Sequence, residues 1–204
     1  MAKSGLIIFV KSPIAGEVKT RLAADIGDEK ALEIYWQLLQ ITKKVALQFN
    51  EPKMIWSNKD WIDNSDFWSI EAFQFHLQNG TDLGEKMTHA FDFHFKEGFT
   101  KLILIGSDCP EINISILNET EKALNHHDVV IGPAADGGYY LIAMKKVHYE
   151  LFENMEWSHA QVLEHSLQRA KSKSLSVHLL QTLSDIDNVA DLNLLSNEFG
   201  SAKN

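Results

Sequence analysis

The sequence predicts an α/β fold: one three-layer α/β/α domain over residues 1–204, built on a mostly parallel sheet. Three observations carry that prediction. Short apolar runs at 5–10 (Gly-Leu-Ile-Ile-Phe-Val) and 101–106 (Lys-Leu-Ile-Leu-Ile-Gly) lack alternation and are bounded by turn residues. Such runs belong to strands covered on both faces, as parallel sheets are. Between and after them the apolar residues recur at helical spacing, so strand and helix alternate. No internal repeat, low-complexity tract or break in composition divides the chain.

Composition narrows the function. Of 204 residues, 45% are hydrophobic and 23% charged, as expected of a globular protein that buries a substantial core. The formal net charge of −9 argues against general nucleic-acid binding, which needs a basic surface, but leaves room for a local phosphate site. Cys109 is the only cysteine, so no internal disulfide forms, which fits a reducing cytoplasm. The run Leu6–Val10 is too short for a signal-peptide core. No stretch reaches the ~20 apolar residues of a membrane helix. The expectation is a soluble cytoplasmic protein that binds neither nucleic acid nor membrane.

In chain order, the first strand is 5–10. Residues 11–21 follow as a loop marked by Pro13 and Gly16. Lys11, Lys19 and Arg21 cluster there in an otherwise acidic chain. Singly they read as solvated side chains. Together, after a buried strand and before a helix, they point to phosphate binding. The glycine spacing is neither that of a Walker A loop nor that of a dinucleotide fingerprint. Residues 28–49 form an amphipathic helix through Ala31, Tyr35, Leu38, Val45 and Phe49. Lys53–Trp56 is a short strand. Segment 57–70, with Trp61, Phe67 and Trp68, gives no clear order. A strand is expected at 71–77.

Gly80 and Gly84 mark a turn into a helix at 84–97, with Met87, Ala90, Phe91 and His94 on one face. Asp82 reads equally well as that helix's N-cap. After strand 101–106 comes Asp108, just past the carboxyl end of a strand, where open α/β sheets place ligands. A helix at 113–125 opens at Asn113 or Ser115, and a strand follows at 128–132. Asp136-Gly137-Gly138 then leads into a strand at 139–143. Asp-Gly is a hairpin signal, but the second glycine also permits close approach of a ligand. Ser158 and Gln161 fit a capping box for a helix carrying Leu163, Leu167 and Ala170. A late strand at 175–180 precedes Asp185, Asp187 and Asp191, three carboxylates within seven residues. N-capping accounts for at least one of them. A terminal helix through Leu192, Leu195 and Phe199 closes the chain.

A hard cation such as Mg²⁺ takes one or two carboxylates plus substrate phosphates. Asp108 and Asp187 fit as those carboxylates, with loop 11–21 for the phosphates. Competing chemistries fit less well. Cys109 precedes a proline and has no evident His partner, the nine His show no zinc spacing, and no nucleophile elbow occurs. His126-His127 reads as a dipole partner at a helix end.

Six stretches together carry a family resemblance. They are Phe9-Val10-Lys11-Ser12-Pro13 with Gly16 and Val18-Lys19-Thr20-Arg21-Leu22; Asp82-Leu83-Gly84-Glu85-Lys86-Met87; Gly106-Ser107-Asp108-Cys109-Pro110; Gly132-Pro133 with Asp136-Gly137-Gly138-Tyr139-Tyr140-Leu141; Trp157-Ser158; and Asp185-Ile186-Asp187. In this order, over about residues 5–195, they resemble the DUF2064 family. Its members are assigned to bacterial glycosyltransferases of the GT-A, nucleotide-diphospho-sugar transferase fold. The resemblance implies that Lys11, Gly16, Lys19 and Arg21 bind the nucleotide phosphates. It implies that Asp108 and Asp187 hold Mg²⁺ or Mn²⁺, with Lys19 and Asp108 catalytic. Asp82, Asp136, Gly137 and Gly138 would line the sugar or acceptor side. Two positions depart from the family: Lys86 stands where Arg is usual, and Asn188 where Thr is common. The Asp-x-Asp metal motif of many glycosyltransferases is also absent at Asp108, which brings the site closer to nucleotidyltransferases. The expected activity is metal-dependent transfer from a nucleotide-sugar to a small-molecule acceptor. The alternatives are nucleotidyl transfer to a phosphorylated small molecule with pyrophosphate release, and nucleotide binding without catalysis.

Overall fold

The computed structural model describes residues 3–60 and 67–195. Trp61 and Phe199 lie outside the described residues. The apolar runs form the sheet: β1 (Ser4–Val10), β2 (Lys53–Ser57), β3 (Gln74–Leu77), β4 (Lys101–Ile105), β5 (Val129–Pro133), β6 (Tyr139–Met144) and β7 (Val177–Leu179). The helices are α1 (Thr20–Ile26), α2 (Asp28–Gln48), α3 (Leu83–Lys96), α4 (Ile114–Ala123) and α5 (Val162–Ser172). Single-turn 3₁₀ helices lie at Tyr149–Leu151 and Val189–Leu192. The strand order is β3-β2-β1-β4-β6-β5-β7, and only β6 runs antiparallel to its neighbours.

Every residue of β1 is buried, because successive side chains enter two different cores. Leu6, Ile8 and Val10 pack with Tyr35 and Leu39 of α2 and with Ile116 and Leu117 of α4. Ile7 and Phe9 pack on the other face, with Met87, Ala90 and Phe91 of α3 and with Ala170 of α5. Two apolar faces covered by helices make the three layers, each fully buried Leu or Ile contributing about 1.5–3 kcal/mol. A smaller cluster, Leu22, Leu38, Ile41, Ile186 and Leu195, ties the C-terminal segment to α1 and α2.

Two expectations are corrected. The strand expected at 71–77 begins only at Gln74; Ala72 and Phe73 N–H groups both return to the Ser69 carbonyl in a turn, and Phe73 packs inward against Trp68. Ser158 and Gln161 form no capping box. Ser158 lies outside the helix at φ 66°, and α5 starts at Val162 with no side-chain cap. A 3₁₀ turn at Val189–Leu192, capped by Asn188 and Asp191, leads into helical residues 193–195.

Candidate functional site

The carboxyl ends of β1 and β4 adjoin where strand order turns back on itself: β2 lies on one side of β1 and β4 on the other. The helices that follow them, α2 and α4, pack on one face of the sheet, and a cleft opens beyond the strand ends. It measures about 950 Å³ and is walled by the 11–21 loop, the 106–109 loop, the first turn of α3, segment 157–160 and the C-terminal segment.

Asp108 follows β4 and is 47% exposed to the cleft, whereas the Lys19 side chain is only 4% exposed. Lys19 Nζ lies 2.6 Å from Asp108 Oδ1 and 3.9 Å from Asp187 Oδ1. It also donates to the Ile186 carbonyl at 2.7 Å. Lys19 has left-handed backbone torsions (φ 48°, ψ 42°), a conformation that costs a residue bearing a Cβ about 1–2 kcal/mol. The ion pair and the carbonyl contact hold it there. Ile186 N–H donates to the Asp108 carbonyl at 3.0 Å, and Arg21 Nη1 meets Asp187 Oδ2 at 3.3 Å. The C-terminal segment is thus stitched to β4's loop and to α1 around one ammonium.

Asp185 joins this group. Its pKa is pushed up to about 7, chiefly by burial and next by the charge of Asp108, with Lys19 opposing. Four carboxylates, Asp108, Asp136, Asp185 and Asp187, face the cleft against the cations of the 11–21 loop. Among the described residues no three His, Cys, Asp or Glu side chains form a ready-made metal cage.

The remaining expected residues divide. Lys11 and Gly138 line the cleft, as do Lys19, Arg21, Asp108, Asp136 and Asp187. Gly16 is exposed and turns toward the Asp28 carboxylate, away from the cleft wall. Asp82 is an N-cap: its Oδ1 accepts from Glu85 N–H at 2.9 Å, and its neighbours Leu83 and Lys86 reach the cleft instead. Gly137 supports the wall rather than forming it. Its φ is +91°, and a Cβ there would sit 2.0 Å from the Ala160 carbonyl oxygen. Cys109 is buried, with its thiol pushed up to about 12, first by burial and then by Asp185, so it is packing rather than nucleophile.

Sequence reasoning missed Tyr35, which reads as a core position of α2. Its hydroxyl accepts from Lys11 N–H at 2.8 Å, donates to the Lys11 carbonyl at 3.0 Å and lies 3.3 Å from Ser107 Oγ. Burial raises its pKa, so it stays a neutral pin between the two loops. Asn58 and Gln78 were also missed. Asn58 Oδ1 accepts from Ser12 N–H, and Gln78 Nε2 donates to the Trp56 carbonyl at 2.9 Å. Both sit just past strands, in stretches whose composition carries no signal of ligand contact.

This is the α/β architecture of nucleotidyltransferases and GT-A-like transferases. The chain belongs to the family described as "uncharacterized protein conserved in bacteria" (DUF2064), whose model matches residues 40–159. A provisionally assigned nucleotide-diphospho-sugar transferase from Desulfovibrio desulfuricans is 31% identical, with a TM-score of 0.91, covering 100% of this chain and 90% of that one. CMP:2-keto-3-deoxy-manno-octonic acid synthetase in complex with CTP shares the fold at 10% identity, TM-score 0.63, covering 99% and 100%. A manganese complex of a Mycobacterium tuberculosis protein shares it at 14% identity, TM-score 0.56, covering 96% and 98%. No curated protein matches the sequence. Among the described residues no helix is long and apolar enough to cross a membrane.

Proposed function

We propose that this protein is a metal-dependent glycosyltransferase that takes a nucleotide-sugar donor and a small-molecule acceptor in the cytoplasm. One observation carries the reading: a single cleft past the ends of β1 and β4 gathers three cations and four carboxylates, with Lys19 paired to Asp108 and Arg21 to Asp187. Lys11, Lys19 and Arg21 come from the loop after β1, and Asp108, Asp136, Asp185 and Asp187 from the facing segments. Phosphates pair with such cations, and a divalent ion or sugar hydroxyls with such carboxylates. The 31% identical transferase from Desulfovibrio desulfuricans supports the same class.

The residues fit a divalent cation. An ammonium already lies 2.6 and 3.9 Å from Asp108 and Asp187, so that space attracts positive charge. Two carboxylates completed by substrate oxygens are the usual Mg²⁺ arrangement. Asp108 and Asp187 would hold the ion, Mg²⁺ or Mn²⁺, which supplies charge neutralisation for a departing phosphate. Lys11 and Arg21 bind the phosphates. Lys19 supplies positive charge to the diphosphate oxygen that takes the electron pair when the sugar–phosphate C–O bond breaks, and Lys19 and Asp108 are the catalytic residues. Asp136 orients the sugar or acceptor from across the cleft.

The competing reading is nucleotidyl transfer, favoured by the CTP-bound synthetase sharing the fold. Thermal shift with nucleotides and nucleotide-sugars, with and without Mg²⁺, followed by product analysis, separates the two. Release of a nucleoside diphosphate is the expected result. Pyrophosphate release would transfer the assignment to the second reading, and no metal-dependent stabilisation by any nucleotide would sink both.

A further inference from the structure

The stretch Val10-Lys11-Ser12 leaves β1 and enters the cleft gripped from two sides. Tyr35 holds the N–H and carbonyl of Lys11 from α2. Two carboxamides hold its neighbours from the ends of β2 and β3. Asn58 Oδ1 accepts from Ser12 N–H at 2.7 Å. Gln78 Nε2 donates to the Val10 carbonyl at 3.3 Å and to the Trp56 carbonyl at 2.9 Å. The two amides are neighbours because β2 and β3 end in register. Ser57 pairs with Leu77, and Gln78 N–H donates to the Ser57 carbonyl at 2.8 Å.

These contacts decide which way each amide faces. A carboxamide has one donor end and one acceptor end. Asn58 turns its oxygen to an N–H, so its free end is the donor Nδ2. Gln78 turns its nitrogen to two carbonyls, so its free end is the acceptor Oε1. Among the described residues neither free end has a hydrogen-bond partner. Both can be reached: Asn58 is exposed, Gln78 Oε1 keeps accessible surface, and both residues line the cleft. A free donor and a free acceptor therefore stand on adjacent strand ends, each fixed in orientation by its own other half.

The surroundings select the ligand. Leu83, 43% exposed, lines the same cleft and offers an apolar face. Asp136, in the turn between β5 and β6, lies on the far side of β4 from these strands. A phosphate oxygen only accepts, and a sugar ring carries hydroxyls on every side. A flat ring with apolar faces and a donor beside an acceptor on one edge matches better. Nucleobases have that edge. A keto base offers a carbonyl beside a ring N–H, and an amino base offers an NH₂ beside a ring nitrogen. Either way residue 58 donates and residue 78 accepts. We propose that Asn58 Nδ2 and Gln78 Oε1 are the specificity-determining groups of a nucleobase subsite, with Leu83 against the face of the base. This rests on the nucleotide-donor reading and deepens it. Lys11 lies between the two residues that the amides grip, so the base-reading edge and a phosphate-binding cation are held on one backbone stretch.

The test is calorimetry on the full chain in Mg²⁺, comparing UDP, CDP, ADP and GDP with inorganic pyrophosphate, for the parent and for Asn58→Asp. The new carboxylate still accepts from Ser12 N–H but has no donor to offer. Its added charge weakens every anion alike and cancels in the ratio of nucleoside diphosphate to pyrophosphate affinity. In the parent, at least one nucleoside diphosphate should bind about ten-fold or more tighter than pyrophosphate, and Asn58→Asp should cut that ratio by about ten-fold. In ¹⁵N spectra the Asn58 side-chain NH₂ signals, identified by their loss in the variant, should shift with that diphosphate and stay in place with pyrophosphate. Asn58→Ala, which also lacks the donor, takes over if the carboxylate unfolds the chain. A ratio unchanged by the substitution, or four diphosphates that bind no better than pyrophosphate, refutes the base subsite and leaves the phosphate site standing. If neither pyrophosphate nor any nucleotide binds, both readings fall.

Discussion

Lys19→Met removes the ammonium at the centre of the cleft while keeping most of its apolar stem. Two losses add. The Ile186 carbonyl loses a donor at 2.7 Å, worth about 1–3 kcal/mol if it stays dry. Asp108 loses its partner at 2.6 Å. Severing a buried pair costs about 3–5 kcal/mol, but Asp108 is 47% exposed and solvent takes up much of that. The left-handed strain at residue 19 remains. The sum is a loss of roughly 2–3 kcal/mol, or a Tm lower by about 5–10 °C at this chain length. The assay is thermal and urea denaturation in EDTA, repeated with millimolar Mn²⁺. Because a divalent ion and the Lys19 ammonium compete for Asp108, Mn²⁺ should stabilise the variant more than the parent. A variant as stable as the parent in EDTA, or one that Mn²⁺ stabilises less, would refute the reasoning.

Asp108→Asn should keep the fold and lose metal-dependent nucleotide stabilisation; calorimetric Mn²⁺ titration with nucleotide present checks it, and unchanged affinity removes Asp108 from the metal site. Asp185, raised to about 7 by burial and by Asp108, binds its proton more tightly folded than unfolded. Its stabilising effect is full below about pH 4 and is lost as pH climbs through about 7, so Asp185→Asn should flatten that slope and raise Tm at pH 8 by about 3–10 °C in EDTA. A steeper slope in the variant would contradict this. Gly137→Ala places a methyl 2.0 Å from the Ala160 oxygen at φ +91°, and a loss of about 2–3 kcal/mol is expected in chemical denaturation. Native Cys109, pushed up to about 12, should resist iodoacetamide at pH 8 and react once denatured, as mass spectrometry would read.

The strands were legible because burial on both faces leaves an unbroken apolar run, as in β1 and β4, and α2 because its apolar stripe keeps helical spacing. Asp108 was legible because strand ends position ligands in such sheets. The partnership of Lys19 with Asp108 was not, since sequence spacing says nothing about which loops meet above a sheet. Asp82 and Gly16 misled for a related reason: a residue beside a site shares its motif without sharing its cleft. Ser158 misled because serine before a helix usually caps it, whereas here two tertiary anchors fix the backbone first. Trp157 was legible only as part of the Trp157-Ser158 stretch and His159 not at all, because what covers their ring nitrogens is decided by the fold.

The Lys19–Ile186 contact joins residues separated by 167 positions. A nascent chain translated at about 5–20 residues per second completes β4 roughly 5–15 s before the Asp185–Asp187 segment emerges. Until then Lys19 has Asp108 but neither Ile186 nor Asp187. The sheet from β1 to β4 can condense early on local crossovers, while the cation trap closes only with the last segment of the sheet-forming chain. The charged cluster is therefore completed late in biogenesis, and a product stalled before Asp185 would hold the Lys19–Asp108 pair without the contacts to Ile186 and Asp187.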